Sequence, residues 1–509
     1  MSRLATTCSA RSAANSFAEV PVAARPETDG AKRTLPKRSG MRCGASASRP
    51  SIRRGWPPTW RVPERGGKTA ADYSRVASCS LESASSNRVC SGGHSMTFAS
   101  WLTIGLFVIT YVGMAAGGIR GLRIDRSWIA CSAAVLLLVS GALSMQDAAH
   151  HLDPGALLLL LALMLISAQF DFSGVYAWLN EYLTHHAERP AVLLAGVVLL
   201  GGLLSAILVN DIVAFALTPL LCRSLQLRGL DARPFLLALA LSCNAGSAAS
   251  LIGNPQNILI GQAGGLDFWG YVAVAGMPAL AAMAIVYAVI WLQWRHRWGE
   301  PRPLPADDMP VERIYGAHSY LKPLAASLAL LALFATALPR ELSALLIAVL
   351  VMVSRRVDSR DYVNKVDWNL LLLFVGLFLV SGAALQLPQL AQGAAWLAEH
   401  GLLPQGVMSL ATSSLLASNL IGNVPFVVLL LGLMPELSHG VLIGLAVMST
   451  LAGNLLLIGS VVNLIVAEGA KRQGVRIGFV DYARSGVPVT LLSMTLAGLW
   501  LGLGGWLPW

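Results

Sequence analysis

Residues 153–167, DPGALLLLLALMLIS, recur further along the chain as residues 367–381, DWNLLLLFVGLFLVS. Four more pairs of similar motifs follow in the same order and at nearly the same spacing. The pairs are AWLNE at 177–181 with AWLAE at 395–399, SAILVN at 205–210 with SNLIGN at 418–423, LIGNPQN at 251–257 with LIGSVVN at 457–463, and GMP at 276–278 with GVP at 486–488. Five matches in register indicate an internal duplication. Matched Asn, Gly, Ser and Pro within apolar segments are typical of secondary transporters with broken helices.

Composition indicates that the duplicated part lies in a membrane. Of the 509 residues, 55% are apolar and 13% are charged, and the mean hydropathy is +0.61. Many apolar runs are long enough to span a bilayer. Such runs cross a membrane as helices, because a helix pairs its own backbone groups. The sequence therefore predicts an all-α polytopic membrane protein.

The net charge of +10 comes from residues 1–95, which hold 16 of the 37 basic residues and 6 of the 27 acidic ones. The rest of the chain is neutral overall, so its charge does not indicate binding to nucleic acid. The tail shows neither helical nor strand periodicity and is expected to be disordered. The tail has three possible interpretations, namely a basic nucleic-acid arm, a transit peptide and an upstream extension before a start at Met96. We favour the extension.

Ten apolar stretches fit single membrane crossings, and loop charges orient them. The crossings are predicted at 98–118, 127–143, 154–170, 235–261, 269–292, 321–338, 342–354, 369–385, 441–465 and 487–505. Loops rich in Lys and Arg stay in the cytoplasm. Such loops are 119–126, 222–234, 293–320, 354–368 and 469–486, and all of them fall on one side.

Two further apolar stretches, 191–221 and 405–434, are too long for one crossing and carry polar residues near their centres. Each is predicted to form a re-entrant hairpin with a buried tip, after an interfacial helix at 173–190 or 386–404. Five crossings separate the two copies, so the repeats are inverted and the hairpins are opposed. The predicted units are a basic tail at 1–95, repeat 1 at 96–320 and repeat 2 at 321–509.

Asp211 stands out among the few ionisable residues of the apolar runs, because it lies at the predicted tip of the first hairpin. A carboxylate within a membrane is costly and commonly functional, and it can carry a proton or help to bind Na⁺. Alternatively, Asn210 or Asp211 only caps the returning half-helix. Asn423 is the counterpart of Asn210, and an amide can bind either an anion or a cation. The second tip adds Ser418 and Asn419.

Two more chain breaks are predicted in a symmetry-related pair of crossings, where Gly and Pro free backbone carbonyls in mid-membrane. Carbonyls beside polar side chains are candidate ligands for a coupling ion. The candidate residues are Gly253, Asn254, Asn257, Gly459, Ser460 and Asn463. Asn257 and Asn463 match in the two repeats and are our candidates for a Na⁺ site. Gly246 and its small neighbours are predicted to allow close helix packing.

At these motifs the chain resembles the ion transporter superfamily, in particular the citrate-transporter-like and divalent-anion/Na⁺ symporter families and the related arsenite-efflux permeases. The resemblance covers about residues 98–505. It implies two repeats, two opposed hairpins and a Ser-Asn-Thr type motif at each tip. Residues 209–211 (VND) and 422–424 (GNV) keep only the Asn of that motif. The Asn-Asp pair and the LIGNPQN motif are more similar to the arsenite-permease branch.

Three functions are compatible with these patterns. We favour a secondary transporter that moves a small anion or oxyanion, such as a carboxylate or arsenite, by symport or antiport with H⁺ or Na⁺. A Na⁺/H⁺ antiporter on the same scaffold would use Asp211 for both ions. A channel or passive structural protein fits the matched polar tips less well. No Gly-rich phosphate-binding motif is present, so we expect neither an ATPase nor another enzyme.

The sequence also predicts the cofactors, the location and the partners of the protein. The seven cysteines lack metal or disulfide spacing, and no cofactor is expected beyond a coupling H⁺ or Na⁺. We expect an integral protein of a bacterial inner membrane that contacts the lipid bilayer and a small anionic or polar solute, but no nucleic acid. A homodimer, an ATPase partner and the identity of the substrate stay open.

Overall fold

The computed structural model describes residues 97–116, 124–187, 189–298, 320–355, 357–400, 403–434 and 436–509. Within these residues the chain forms helices and no β-strand. Six of the described helices are long and apolar enough to cross a bilayer. The fold is therefore the predicted all-α membrane class. The tail at 1–95, with its predicted disorder, lies outside the described residues.

The duplication extends over ten described α-helices in each half of the chain. The first ten are Phe98–Ala116, Arg126–Val139, Met145–His151, Pro154–Phe172, Val175–His186, Pro190–Ile207, Asn210–Leu227, Ala232–Ser247, Pro255–Ala263 and Phe268–Trp294. The second ten are Leu321–Leu333, Arg340–Met352, Ser359–Asn364, Trp368–Leu385, Pro388–Glu399, Val407–Ile421, Asn423–Leu433, His439–Ala452, Val461–Arg472 and Phe479–Leu503. Each helix has a counterpart in the other half. Three of these pairs precede the first matched motif.

The predicted crossing at 321–338 is shorter than expected, and the crossing predicted at 342–354 is displaced by two residues. Leu321–Leu333 and Arg340–Met352 have 13 residues each. A helix of that length rises about 20 Å, against a bilayer core of about 30 Å. The prediction at 321–338 included residues 334–338, which lie in the turn between the two helices. Pro339 caps the start of the second helix.

Matched capping residues begin matched helices. Asp153 Oδ1 accepts a hydrogen bond from Ala156 N at 3.0 Å, and Asp367 Oδ1 accepts one from Leu370 N at 3.1 Å. Each carboxylate satisfies a backbone donor that has no partner in the first helical turn. The aspartates that open the repeated motif therefore have the same local role in both halves.

The first predicted hairpin folds back on itself. Pro190–Ile207 and Asn210–Leu227 are separated by two extended residues. Just beyond them, Arg228 Nη1 donates to Thr184 O at 2.8 Å and to Ala187 O at 2.9 Å, immediately before the first arm. Two such helices in line would hold their outer ends roughly 50 Å apart. The two outer ends therefore lie at the same end of the molecule.

The second predicted hairpin, within residues 405–434, has the same geometry. At its start, Val407 N donates to Pro508 O at 2.8 Å. The helix that follows it begins beside the same terminal segment, because a Cβ added to Gly440 would lie 1.9 Å from Trp506 O. Entry to and exit from this stretch are thus close together in space.

Contacts between loops and helix ends agree with the predicted orientation. Each joins two segments that the charge pattern assigns to one side. On the cytoplasmic side they are Gln226–Gln473, Gln293–Arg484, Lys322–Val351 and Asp171–Lys365, and on the outer side they are Gln262–Glu341 and His151–Gln386. The hydrogen bonds show that the two members of each pair lie at the same side, and the charge pattern groups the pairs. Which group faces the cytoplasm stays a prediction.

The two halves interlock through their equivalent helices. Arg126–Val139 of the first half packs against Trp368–Leu385 of the second, and Arg340–Met352 packs against Pro154–Phe172. Inside the first half, Gly246 lies directly against Gly202. A Cβ added to Gly246 would lie 2.1 Å from Gly202 O, so the predicted role of Gly246 in close packing is confirmed.

We predict that Gly246→Ala destabilises the protein by about 1–3 kcal/mol, because backbone atoms cannot move aside as a flexible side chain can. Gly276→Ala is the matched control, since a Cβ at Gly276 meets nothing within 4 Å. The midpoint of thermal unfolding in detergent should fall for the first variant only. Equal midpoints for both variants would contradict the close approach.

Candidate functional site

Both hairpin tips border one cavity of about 80 Å³. Five of the predicted site residues line it, namely Asn210, Asp211, Asn423, Gly459 and Ser460. The structure thus brings together the matched polar positions of the two repeats, as the motifs predict. The space is sufficient for a few water molecules or one small inorganic species.

The other six predicted residues do not line this cavity. They are Gly253, Asn254, Asn257, Ser418, Asn419 and Asn463. Several of them support its wall instead. Asn210 N donates to Gly253 O at 3.0 Å, which fastens the first tip to the first broken helix. Asn419 Nδ2 donates to Ala452 O at 2.9 Å at the second tip.

Asn244 joins the two repeats through its side-chain amide. Its Nδ2 donates to Asn454 Oδ1 at 2.9 Å and to Asn463 Oδ1 at 3.0 Å. Its Oδ1 accepts from Ser460 Oγ at 3.1 Å and from Asn210 Nδ2 at 3.3 Å. The fully buried Asn244 was interpreted from the sequence only as part of a closely packed stretch, so its bridging role was missed.

Thr450 makes the reciprocal connection. It occupies the position of Asn244 when LIGNPQN is aligned with LIGSVVN. Its Oγ1 donates to Asn257 Oδ1 at 3.2 Å and accepts from Asn254 Nδ2 at 3.0 Å. One polar residue of each repeat therefore binds the chain break of the other. In an apolar interior such bonds satisfy groups that water cannot reach.

Free acceptor oxygens remain around the tips. Asn210 Oδ1, Asn419 Oδ1 and Asn423 Oδ1 are buried and have no hydrogen-bond partner among the described residues. A buried carbonyl oxygen without a partner is costly. Such oxygens are suited to accept a hydrogen bond from a solute or to contact a cation.

Asn257 and Asn463, the predicted Na⁺ positions, are already hydrogen-bonded. Asn257 Oδ1 accepts from Thr450, and Asn463 Oδ1 accepts from Asn244. Both residues are buried. In this conformation, Na⁺ at either amide oxygen would have to compete with these donors.

Asp211 lines the cavity without a partner of its own. Among the described residues it makes neither a hydrogen bond nor an ion pair. The N-cap of its helix is Val209, with no side-chain hydrogen bond to the helix end. The structure therefore gives no support to the capping alternative for Asn210 or Asp211. The carboxylate lies in the first helical turn, where negative charge is favourable.

Arg126 was not among the predicted site residues, yet it lines the same cavity. It was assigned to a cytoplasmic loop, whereas it begins the helix Arg126–Val139. Within the described residues its guanidinium makes no hydrogen bond or ion pair. A positive charge at a helix N-terminus opposes the helix dipole, so its placement there is not explained by helix stability.

The electrostatics of the cavity favour negative charge. The first residues of four further helices line its wall, and these residues are Asn210, Pro255, Asn423 and Val461. Each helix start carries partial positive charge. Arg126 adds a positive charge to this wall, and Asp211 is the one carboxylate among the described lining residues. The arrangement suits a small anion bound near the two tips.

Comparisons with known proteins identify a family and several relatives of this chain. A family described as "Citrate transporter" matches residues 106–441. The "46 kDa membrane protein" of Mycobacterium leprae is 26% identical over 428 residues, which cover 79% of this chain and 98% of that protein.

Two relatives have more specific names. The "Putative transporter arsB" of Dictyostelium discoideum is 24% identical, with 73% of this chain and 86% of that protein covered. The "Silicon efflux transporter LSI3" of Oryza sativa subsp. japonica is 29% identical, with 73% of this chain and 91% of that protein covered. These relatives are transporters by name.

We predict that Asn244→Leu destabilises the protein by about 1–3 kcal/mol for each hydrogen-bond partner that stays buried and unpaired. The variant Thr490→Val is the control, because the buried Thr490 hydroxyl has no hydrogen-bond partner in the described part of the chain. Thermal unfolding should separate the two variants. A similar small change in both would show that the Asn244 contacts do not hold the repeats together.

Proposed function

We propose a function from one premise, that the chain belongs to the citrate transporter family. It is a membrane transport protein. In our proposal it moves a small anion or oxyanion by alternating access, driven by H⁺ or Na⁺, in the inner membrane of a bacterium. The observation that best supports the proposal is the central cavity, where polar tips of both repeats meet Arg126 and the starts of four further helices.

The cavity supports a small oxyanion over a large carboxylate in this conformation. Its volume of about 80 Å³ is enough for a few water molecules or one small inorganic species. Arg126 offers a fork of donors that matches the oxygens of an oxyanion. Asn210 and Asn423 add amide groups on opposite repeats. One relative is named for silicon efflux, which is consistent with a small inorganic solute.

Asp211 is our proposed site of coupling. Its carboxylate shares the cavity with Arg126 but forms no ion pair with it. An anion bound in the cavity that both residues line would alter the affinity of Asp211 for H⁺ or Na⁺. This electrostatic link would make solute binding and ion binding depend on each other.

A Na⁺/H⁺ antiporter is the competing proposal. The unpaired Asp211 carboxylate and the free oxygens of Asn210 and Asn423 favour it, since these are hard ligands for Na⁺. Arg126 and the helix starts disfavour it, because they repel a cation from the same cavity. A transporter that exchanged only cations would have no use for this positive charge.

Purified protein in liposomes distinguishes the two proposals. Counterflow of citrate, succinate, sulfate and arsenite should be measured with Na⁺ and pH gradients imposed separately. Saturable counterflow of at least one solute, stimulated by one gradient, is expected. Exchange of Na⁺ for H⁺ that is indifferent to every solute would overturn our proposal in favour of the antiporter.

We predict that Asp211→Asn lowers gradient-driven transport by about tenfold or more, within the range of coupling between linked sites, while the protein stays folded. Asparagine keeps the size of the side chain but carries neither charge nor a transferable proton. Asp171→Asn is the control, since Asp171 pairs with Lys365 at the surface. Unchanged dependence on pH and Na⁺ in Asp211→Asn would remove Asp211 from the coupling mechanism.

A further inference from the structure

Arg126 and Arg340 are counterparts in the two repeats. Residues 126–138 (RSWIACSAAVLLL) and 340–352 (RELSALLIAVLVM) share their initial Arg, two Ala residues and a Val-Leu pair. The spacing between the two segments equals that between Asp153 and Asp367. Each arginine is the first residue of its helix, and each is half-buried. The two arginines nevertheless have different surroundings.

Arg340 fastens one end of the first broken helix. Its Nη2 donates to Gly261 O at 2.8 Å, and the neighbouring Glu341 accepts from Gln262 Nε2 at 3.2 Å. The helix Pro255–Ala263 also packs against Pro154–Phe172 at this end. These contacts close the side that the charge pattern predicts to be outside.

The equivalent contacts are missing around Arg126. In the alignment of the two breaks, Ala467 and Glu468 are the counterparts of Gly261 and Gln262. Within the described residues Arg126 bonds to neither, and it lines the cavity instead. The helix Val461–Arg472 makes no comparable packing against Trp368–Leu385 in the described part of the chain. Around Arg126, the side predicted to be cytoplasmic therefore lacks the contact that Arg340 makes on the outer side.

We infer that Arg126 and Arg340 are paired gate residues, with Arg126 closing onto Ala467 and Glu468 when the cytoplasmic side closes. Inverted repeats can exchange their conformations, so each arginine would adopt the contacts that its counterpart makes now. Arg340 would release Gly261 as Arg126 engages the opposite helix. The inner contact would be a charge-assisted bond, because Glu468 replaces the neutral Gln262. This inference rests on the alternating access of the proposed function.

The rate at which a reagent reaches the cavity tests the two gates. Weakening the outer gate should raise the labelling rate from the outer side, and weakening the inner gate should lower it. In a cysteine-free protein, Ile458→Cys places one thiol in the cavity wall, and a membrane-impermeant maleimide is added from the outer side. Arg340→Gln removes the outer bond and should raise the labelling rate by about tenfold, within the usual range of coupling energies. Glu468→Arg places like charges at the inner gate and should lower the rate similarly.

Two further variants complete the labelling test. Glu468→Gln should shift labelling in the direction of Glu468→Arg but less strongly, which separates gating from misfolding. Lys365→Gln removes a cation from an exposed pair on the same side and should leave the labelling rate unchanged. Shifts of the same sign in Arg340→Gln and Glu468→Arg would overturn the inference, as would the absence of both shifts.

Cross-linking tests the inner contact independently of any solute. Cysteines replacing Arg126 and Glu468 should form a disulfide on mild oxidation and block labelling of the cavity from the cytoplasmic side. A disulfide requires the two Cα atoms to come within about 7 Å. Cysteines replacing Arg126 and Gln473 are the control pair and should not form one.

The outcomes separate the gate from the proposed function. Failure of the first pair to cross-link, in a protein that still shows gradient-driven counterflow, would overturn the gate alone. Cross-linking that closes the cavity, in a protein without counterflow of any tested solute, would support the gate and overturn the proposed substrate class.

Discussion

Chain breaks inside an apolar interior are the constraint on which this structure depends. Two hairpins and two broken helices release backbone groups where water is scarce, and each unpaired group is costly. The asparagines and small hydroxyl residues at the centre supply the missing partners. Asn244 and Thr450 do so across the boundary between the repeats. The hydrogen bonds at the chain breaks therefore also hold the two repeats together.

Much of this arrangement could be predicted from the sequence, because a motif that is weak evidence alone becomes informative when it occurs at the same place in both repeats. The matched Asn210 and Asn423 indicated both tips, and GNPQN with GSVVN indicated both breaks. Asn244 and Arg126 escaped prediction for physical reasons. A polar residue among small ones is interpreted as part of a helix-packing surface. An arginine beside a basic loop is interpreted as a sign of which side of the membrane the loop faces. Only the tertiary fold shows that both reach the centre.

Asymmetry between the two repeats distinguishes the two sides of the fold. Equal sequences would allow two equal conformations, yet Arg340 is bound to Gly261 while Arg126 lines the cavity. Among the described residues, the cavity therefore combines the positive charge of Arg126, four helix starts and the carboxylate of Asp211. That combination can attract an anion and link its binding to a cation.

Distances on the two sides test alternating access most directly. Spin labels at the exposed Ala263 and Leu342 report the outer side, and labels at Trp128 and Lys471 report the inner side. Pulsed electron paramagnetic resonance should show two populations for each pair. Conditions that lengthen the outer distance should shorten the inner one. Distances that lengthen together, or a single fixed distance for both pairs under every gradient and solute, would contradict the account.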